Sequence, residues 1–192
     1  MESLILASTS PTRRKLLEGA GVRVQVEDPR VDEDITTPDG PEGLASGLAR
    51  RKARAVALHH PGAWVLAADQ VVHQGGEIFG KPRNRDDHLS RLKFMRGQTH
   101  ELITAWVLLG PGDMARGAST TRMHVRGDVD DHELAHYVAS GEGAFCAGGY
   151  AAEGHGSFLF DRIEGDWFNV LGLPLLDVLT ALRARGWRQG AR

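Results

Sequence analysis

Cysteine is nearly absent: Cys146 stands alone among 192 residues. That excludes an intrachain disulfide and a cysteine-rich zinc cluster. Neither charge is in marked excess. Lys+Arg 23 against Asp+Glu 25 gives a formal net charge of -2 with histidine neutral. Electrostatic binding to a nucleic-acid polymer needs a basic excess, so that class is excluded, while a small anion held in a local pocket is not. No apolar stretch of spanning length occurs, and Met1 to Ser8 carries no basic segment ahead of its short apolar run. A cytoplasmic protein without signal peptide or membrane contact is therefore expected. Repeats, low-complexity tracts and long linkers are missing too. At ~100–200 residues per domain, residues 1–192 are expected to form a single domain. Lysine is the last scarcity. Only Lys15, Lys52, Lys81 and Lys93 occur in a chain that otherwise uses arginine. A lysine in such a chain points to a need for a compact point charge.

What is present reads as an α/β protein, because apolar runs alternate with helical patterns. Glycine is abundant at 24 residues, which implies many tight turns or close backbone approaches. Strands are expected at Ser3–Ser8, Ala63–Val72, Glu101–Leu109, Ser157–Ile163 and Trp167–Leu171. His73 to Glu77 makes a hairpin turn that returns through Ile78-Phe79. Helices are expected from Pro11 to about Glu18, over Pro41–His59, after Asn84 to Gly97, over Asp128–Ser140, and from Leu173-Pro174 to Gly186. The last carries Leu175, Leu179 and Leu182 on one face.

Several constellations could carry chemistry. Ser8-Thr9-Ser10-Pro11-Thr12-Arg13-Arg14 crosses a strand-to-helix junction. Two arginines in a first helical turn oppose the macrodipole, but they fit a docked anion. A capped surface helix with solvated arginines is the plainer alternative. In the second helix Leu44, Leu48, Lys52 and Val56 recur every four residues, so Lys52 lies on the apolar stripe. It either snorkels out or reaches an anionic site. The apolar run from Ala63 ends in Asp69-Gln70. If the hairpin turns between Gly75 and Gly76, Gln70 faces Lys81 and Asp69 faces Pro82. Asp69 and Lys81 would then sit side by side, suiting a metal-bound water or a phosphate, with a structural salt bridge as the alternative. Asp32-Glu33, in a Pro-flanked acidic loop, could supply oxygen ligands to Mg²⁺. His132-Glu133-Leu134-Ala135-His136 matches the H-E-x-x-H zinc helix, with Glu153 as a conceivable third ligand. The match falls in the first turns of a helix preceded by acidic capping residues, which favours a solvated surface. Finally, the glycines between Cys146 and Gly156 imply close approach to a ligand or tight packing.

Taken together, the segments resemble the Maf family of nucleoside triphosphate pyrophosphatases. The matching pieces are Ser8-x-Ser10-Pro11-x-Arg13-Arg14, Val31-Asp32-Glu33, Leu48-Ala49-x-x-Lys52-Ala53, Ala68-Asp69-Gln70-Val71, Gly80-Lys81-Pro82 and Gly97-x-x-His100. Glu153-Gly154 and Arg162-Ile163-Glu164-Gly165-Asp166-x-Phe168-Asn169-Val170-x-Gly172-Leu173-Pro174 complete the series. The resemblance implies an elongated mixed β-sheet flanked by helices, a Maf/ITPase-like fold with two lobes around a central cleft. It also implies hydrolysis of a nucleoside triphosphate to the monophosphate and pyrophosphate with a divalent cation, Mg²⁺ or Mn²⁺. The expected partners are the nucleotide and, in a homodimer, a second copy of the chain, although the sequence does not fix the oligomeric state.

Carried over by resemblance, Asp69 is the carboxylate that activates the attacking water and Glu33 its acidic partner, the pair also serving as metal ligands. Lys52, Lys81 and Arg13 hold the triphosphate, with Ser8 and Ser10 lining the same loop. Within the family, Asp69-Gln70, Cys146-Ala147-Gly148 and Glu153-Gly154 resemble the subgroup acting on 7-methyl-GTP. Thr12 stands where that subgroup carries tryptophan, and Asp166-Trp167-Phe168-Asn169-Val170 resembles the dTTP/UTP subgroup. A Glu153 carboxylate suits the donor edge of guanine, so 7-methyl-GTP is the expected substrate, read by Thr12, Gln70 and Glu153. The alternatives are a dTTP/UTP pyrophosphatase, a non-catalytic nucleotide-binding regulator of septum formation, and, remotely, a zinc protease.

Overall fold

The computed structural model describes residues 4–33 and 40–190. The chain order is β1 (Leu4–Ala7), α1 (Pro11–Gly19), β2 (Val24–Glu27), α2 (Gly40–Ala57), β3 (Trp64–Gln74), β4 (Glu77–Phe79) and α3 (Arg85–Met95). It continues through β5 (Thr99–Gly110), β6 (Asp113–Val125), α4 (Asp131–Ser140), a 3₁₀ turn (His155–Leu159), β7 (Phe160–Glu164), α5 (Trp167–Val170) and α6 (Leu175–Ala184). No helix among the described residues is long and apolar enough to cross a membrane.

The strands form one mixed seven-stranded sheet in the order β2-β1-β3-β5-β6-β7, with β4 paired to β3 off that path. β1 runs parallel to both β2 and β3. The remaining pairings are antiparallel. The α/β reading from sequence therefore holds, and the sheet is mixed and flanked by helices as expected.

Apolar clusters pack at both ends of this sheet. At one end Leu4, Leu6, Leu66, Ala68 and Leu108 pack under α1 and α6. Ile5, Ala7, Val65 and Ala67 pack on the other face, under Ala49, Ala53 and Val56 of α2. At the far end Val72, Leu102 and Met123 pack with Leu92 and Met95 of α3 and Leu134, Tyr137 and Val138 of α4. β3 contributes residues to the clusters at both ends. Asp69 and Gln70 fall between its two apolar segments, so two polar residues mark the seam.

Several local expectations are corrected. The turn at Gly75 and Gly76 forms, both with positive φ (60° and 89°), and His73 faces Ile78 as expected. But β4 stops at Phe79, so the pairs Gln70–Lys81 and Asp69–Pro82 do not form. Pro82 has no N–H to donate to a ladder, so the ribbon ends before it. Asp69 is instead mid-strand, opposite Ala105 of β5. The segment expected as a strand at Trp167–Leu171 is a short helix, because Asp166 Oδ1 accepts from Phe168 N at 2.8 Å and caps it. The strand expected to start at Ser157 begins at Phe160, after the 3₁₀ turn. β2 and the thirteen-residue β6 were not anticipated.

Candidate active site

The first feature of the site is an opening in the ladder. β3 pairs with β1 through Trp64–Leu66 and with β4 through Val72–Gln74. Between these stretches the same edge of β3 has no strand partner among the described residues. Asp69 sits in that opening. The chain leaving β1 brings Ser8, Ser10 and Arg13 to one side, and the chain leaving β4 brings Lys81 to the other. Ligands of α/β sheets collect in such crevices beyond strand ends.

Lys52 lies at the centre. Small residues at Ala45, Ala49 and Ala53 let α2 lie close on the sheet, and Leu48, Lys52 and Val56 share its buried face. Lys52 is only 6 % exposed, so it does not snorkel. Its Nζ stands 2.5 Å from Asp69 Oδ1 and 2.5 Å from Glu33 Oε1. One ammonium thus joins two carboxylates, and the partner of Asp69 is Lys52 rather than the expected Lys81. Burial pushes the Asp69 carboxyl above the ordinary range, and the charges of Lys52 and Arg13 only partly oppose it. Burial pushes Glu33 the same way, but the hydrogen bond and charge of Lys52, with Lys81 and Arg13 behind them, leave it below its usual value. The two carboxyls are therefore pushed apart, the arrangement that separates a proton acceptor from a permanent anion.

Arg13 and Arg14 divide between site and solvent. Ser10 caps α1, its Oγ accepting from Arg13 N at 3.3 Å. Arg13 turns inward: Nε donates to Gly172 O at 2.7 Å and Nη1 to Ser8 Oγ at 3.3 Å. Its charge acts on both Asp69 and Glu33. Arg14 turns outward and pairs with Glu18 at 2.8 Å. The capped-surface alternative thus applies to Arg14 alone. Lys81 is exposed, and its charge reaches Glu33 on one side and the Cys146 thiol on the other.

Other residues lie further out. Gln70 follows Asp69 on β3, so it points to the opposite face. There its Nε2 donates to Thr104 Oγ1 at 2.9 Å and to Asn169 O at 2.7 Å. Thr12 is half-buried in the first turn of α1. Glu153 is exposed, and its charge acts on Cys146. The carboxylate of Glu133, in the H-E-x-x-H pattern, accepts from Asp130 N at 2.8 Å and closes a capping box on α4. His132, Glu133 and His136 border a cavity of about 450 Å³ together with Tyr137, Ser140, His155 and Phe158, a lining that includes none of Lys52, Asp69 and Glu33. Asn169 carries no task that its place in the sequence alone assigns. Fully buried, its Nδ2 donates to Leu102 O at 3.1 Å and Thr121 Oγ1 at 3.0 Å. An asparagine between two apolar residues of a short run was the available signal.

Carboxylates in a gap of the sheet, with cations arriving from both sides, suit a multiply charged anion that needs a proton acceptor beside it. The chain belongs to the Maf-like protein family, whose profile matches residues 3–185. It is 43% identical over 185 residues to the dTTP/UTP pyrophosphatase of Thermus thermophilus, covering 96% of each chain. It is likewise 43% identical over 197 residues to nucleoside triphosphate pyrophosphatase 1 of a Jannaschia species, covering 97% of this chain and 98% of that one. Among solved structures, the Staphylococcus aureus Ham1 protein matches with a TM-score of 0.53 at 13% identity, over 97% of this chain and 100% of that one. That last likeness is one of fold alone.

Proposed function

We propose that this chain is a nucleoside triphosphate pyrophosphatase, a hydrolase that converts a nucleoside triphosphate and water to the monophosphate and pyrophosphate, with dTTP and UTP as substrates. The observation that carries the reading is the pair of 2.5 Å contacts from Lys52 to Asp69 and Glu33 in the sheet opening. Asp69 would take the proton of the attacking water. The water oxygen would bond to the α-phosphorus, and the bond from that phosphorus to the bridging oxygen would break, releasing pyrophosphate. A carboxyl raised by burial is a better proton acceptor than an ordinary one. Arg13, Lys52 and Lys81 would neutralise the triphosphate, in which negative charge is the chief obstacle to attack.

The two carboxylates support, as part of this proposal, a divalent cation whose remaining ligands would come from substrate oxygens and water, since among the described residues no three metal-ligating side chains cluster. Glu33 and Asp69 offer hard carboxylate oxygens, and Lys52 contacts one oxygen of each. Mg²⁺ is commonly held by one or two carboxylates with substrate phosphates completing its shell. Glu33 and Asp69 would hold Mg²⁺ or Mn²⁺. When bound, such an ion would supply charge neutralisation at the phosphates.

The names of the relatives from Thermus thermophilus and from a Geobacillus species, both dTTP/UTP pyrophosphatases, support the pyrimidine assignment. A second reading, 7-methyl-GTP, is favoured by Glu153, a carboxylate with acceptors only. The test is pyrophosphate release from dTTP, UTP and 7-methyl-GTP with Mg²⁺ or Mn²⁺, in the wild type and in Glu153→Gln. Preference for dTTP and UTP is expected. A wild-type preference for 7-methyl-GTP that Glu153→Gln weakens by about 1–3 kcal/mol, the size of a charge-assisted hydrogen bond, would establish the second reading. Nucleotide binding without release from any of the three would leave a non-catalytic binder.

A further inference from the structure

α3 carries a buried polar cluster that the reaction itself does not use. Arg91 is 9 % exposed. Its Nη1 donates to two carbonyls, Gly80 O and, at 3.3 Å, Ala147 O. Its Nη2 donates to Asp87 Oδ2 at 2.9 Å, and its guanidinium lies 5.2 Å from the centre of the Phe79 ring. Asp87 in turn accepts from Arg83 N at 2.9 Å. The loop from Gly80 to Arg83 is therefore gripped at both ends, with Lys81 between the grips. The side chain of Lys81 is left exposed.

The second loop is gripped from the same helix. Arg91 takes Ala147 O, and one turn earlier His88 Nε2 donates to Gly149 O. Gly149 has φ of 76°, and a Cβ there would come within 2.9 Å of the His88 ring and 3.4 Å of Pro82. Pro82 thus lies on the side of Gly149 where a Cβ would project, and one guanidinium binds both loops. This second loop carries Cys146, whose thiol feels the charges of both Lys81 and Glu153.

We propose that Arg91 is a positioning residue that holds the Lys81 loop and the Cys146–Gly149 loop as one piece. It thereby couples the phosphate-binding side of the site to the loop beside Glu153. The inference rests on the pyrophosphatase reading above. Arginine is required because a single planar fork reaches two carbonyls and a carboxylate while stacking on Phe79. A lysine ammonium is a point charge that cannot keep that set together. Without the fork, Lys81 keeps its charge but loses a fixed starting point. Displacements of even an ångström at a charged phosphate are costly to turnover.

The experiment is a double-mutant cycle on pyrophosphate release at saturating and limiting triphosphate, with wild type, Arg91→Lys, Lys81→Ala and the double variant. If Arg91 acts through Lys81, the two changes do not add. A coupling of about 3- to 30-fold in kcat/KM is expected. The ratio of kcat/KM between the best and the poorest nucleotide should also fall in Arg91→Lys. A purely structural arginine would lower the melting temperature but leave the effects additive and the nucleotide ratio unchanged, and that result overturns the proposal. Should Arg91→Lys not fold, Asp87→Asn carries the same cycle with the same two outcomes, since Asp87 is more exposed and holds both Arg83 and Arg91. A wild type that releases no pyrophosphate defeats the functional reading separately. The cycle is then run on calorimetric affinity for the triphosphate, where additivity again overturns the coupling.

Discussion

Lys52 Nζ stands 2.5 Å from Asp69 Oδ1, fastening the buried face of α2 to the middle of β3. Both side chains are about nine-tenths buried, with 7 % and 10 % of their surfaces exposed. A buried ion pair adds little net stability, but removing one partner strands the other. Lys52→Met should therefore cost about 3–5 kcal/mol in denaturant unfolding at neutral pH. It should also move the acid limb of kcat/KM to higher pH, because a charge that lowers the Asp69 carboxyl has gone. A carboxyl raised in the folded state binds more protons there than when unfolded, so the variant's stability falls as pH rises through the carboxylate range. A limb that moves to lower pH would contradict the assignment of that limb to Asp69.

Asn169 fastens α5 to the sheet through Leu102 O and Thr121 Oγ1, while its own carbonyl accepts from Gln70. Asn169→Ala should destabilise the fold by about 1–3 kcal/mol, as expected when buried groups lose their partners. Denaturant midpoints with unchanged slopes would measure it. Activity of the remaining folded protein should fall less than in Lys52→Met, because Asn169 reaches the site only through Gln70 and the α5 segment.

His100 should impose a pH dependence of its own. Its Nε2 lies 2.6 Å from Tyr150 OH, and its ring packs against Tyr150 and Phe160, which also pack on each other. Burial, with a smaller contribution from His124, lowers its pKa to about 4. The unfolded chain binds the extra proton from about pH 6.5 downward. Stability from this group is thus full above that pH and is lost as pH falls toward 4, by up to about 3 kcal/mol. Melting temperatures between pH 7 and pH 4.5 should drop in the wild type and drop less in His100→Phe. Equal slopes in both would remove His100 from the account.

Much of the site was legible because its key residues break a pattern. Lys52 interrupts an apolar stripe, and Asp69 ends an apolar run; both exceptions proved to face each other. Their pairing was not legible, because the place where β4 stops decides it, and a register alone does not say how far a ladder continues. The division between Arg13 and Arg14 depends on Gly172 O, which lies 159 residues away in sequence. β6 is not legible in the sequence because its alternation is built from Ala115, Gly117 and Ser119 rather than large apolar residues, along a mostly exposed stretch of strand. The segment Trp167–Val170 reads as a strand in sequence because four residues are too short for a helical period, and the cap at Asp166 decides for helix. The grip of Arg91 was legible only as an i, i+4 charge pair with Asp87, which on most helices is a solvated surface contact.

Asp69 is proposed as the proton acceptor of a triphosphate hydrolysis. The most direct measurement compares steady-state pyrophosphate release by wild type and Asp69→Asn, on the preferred nucleotide with Mg²⁺, alongside their circular dichroism spectra. The variant keeps the shape and hydrogen-bonding reach of the side chain but cannot take the proton. The account predicts native spectra and a kcat lowered by at least ~100-fold, the scale of general-base catalysis. A folded Asp69→Asn that turns over within a few-fold of wild type would contradict it.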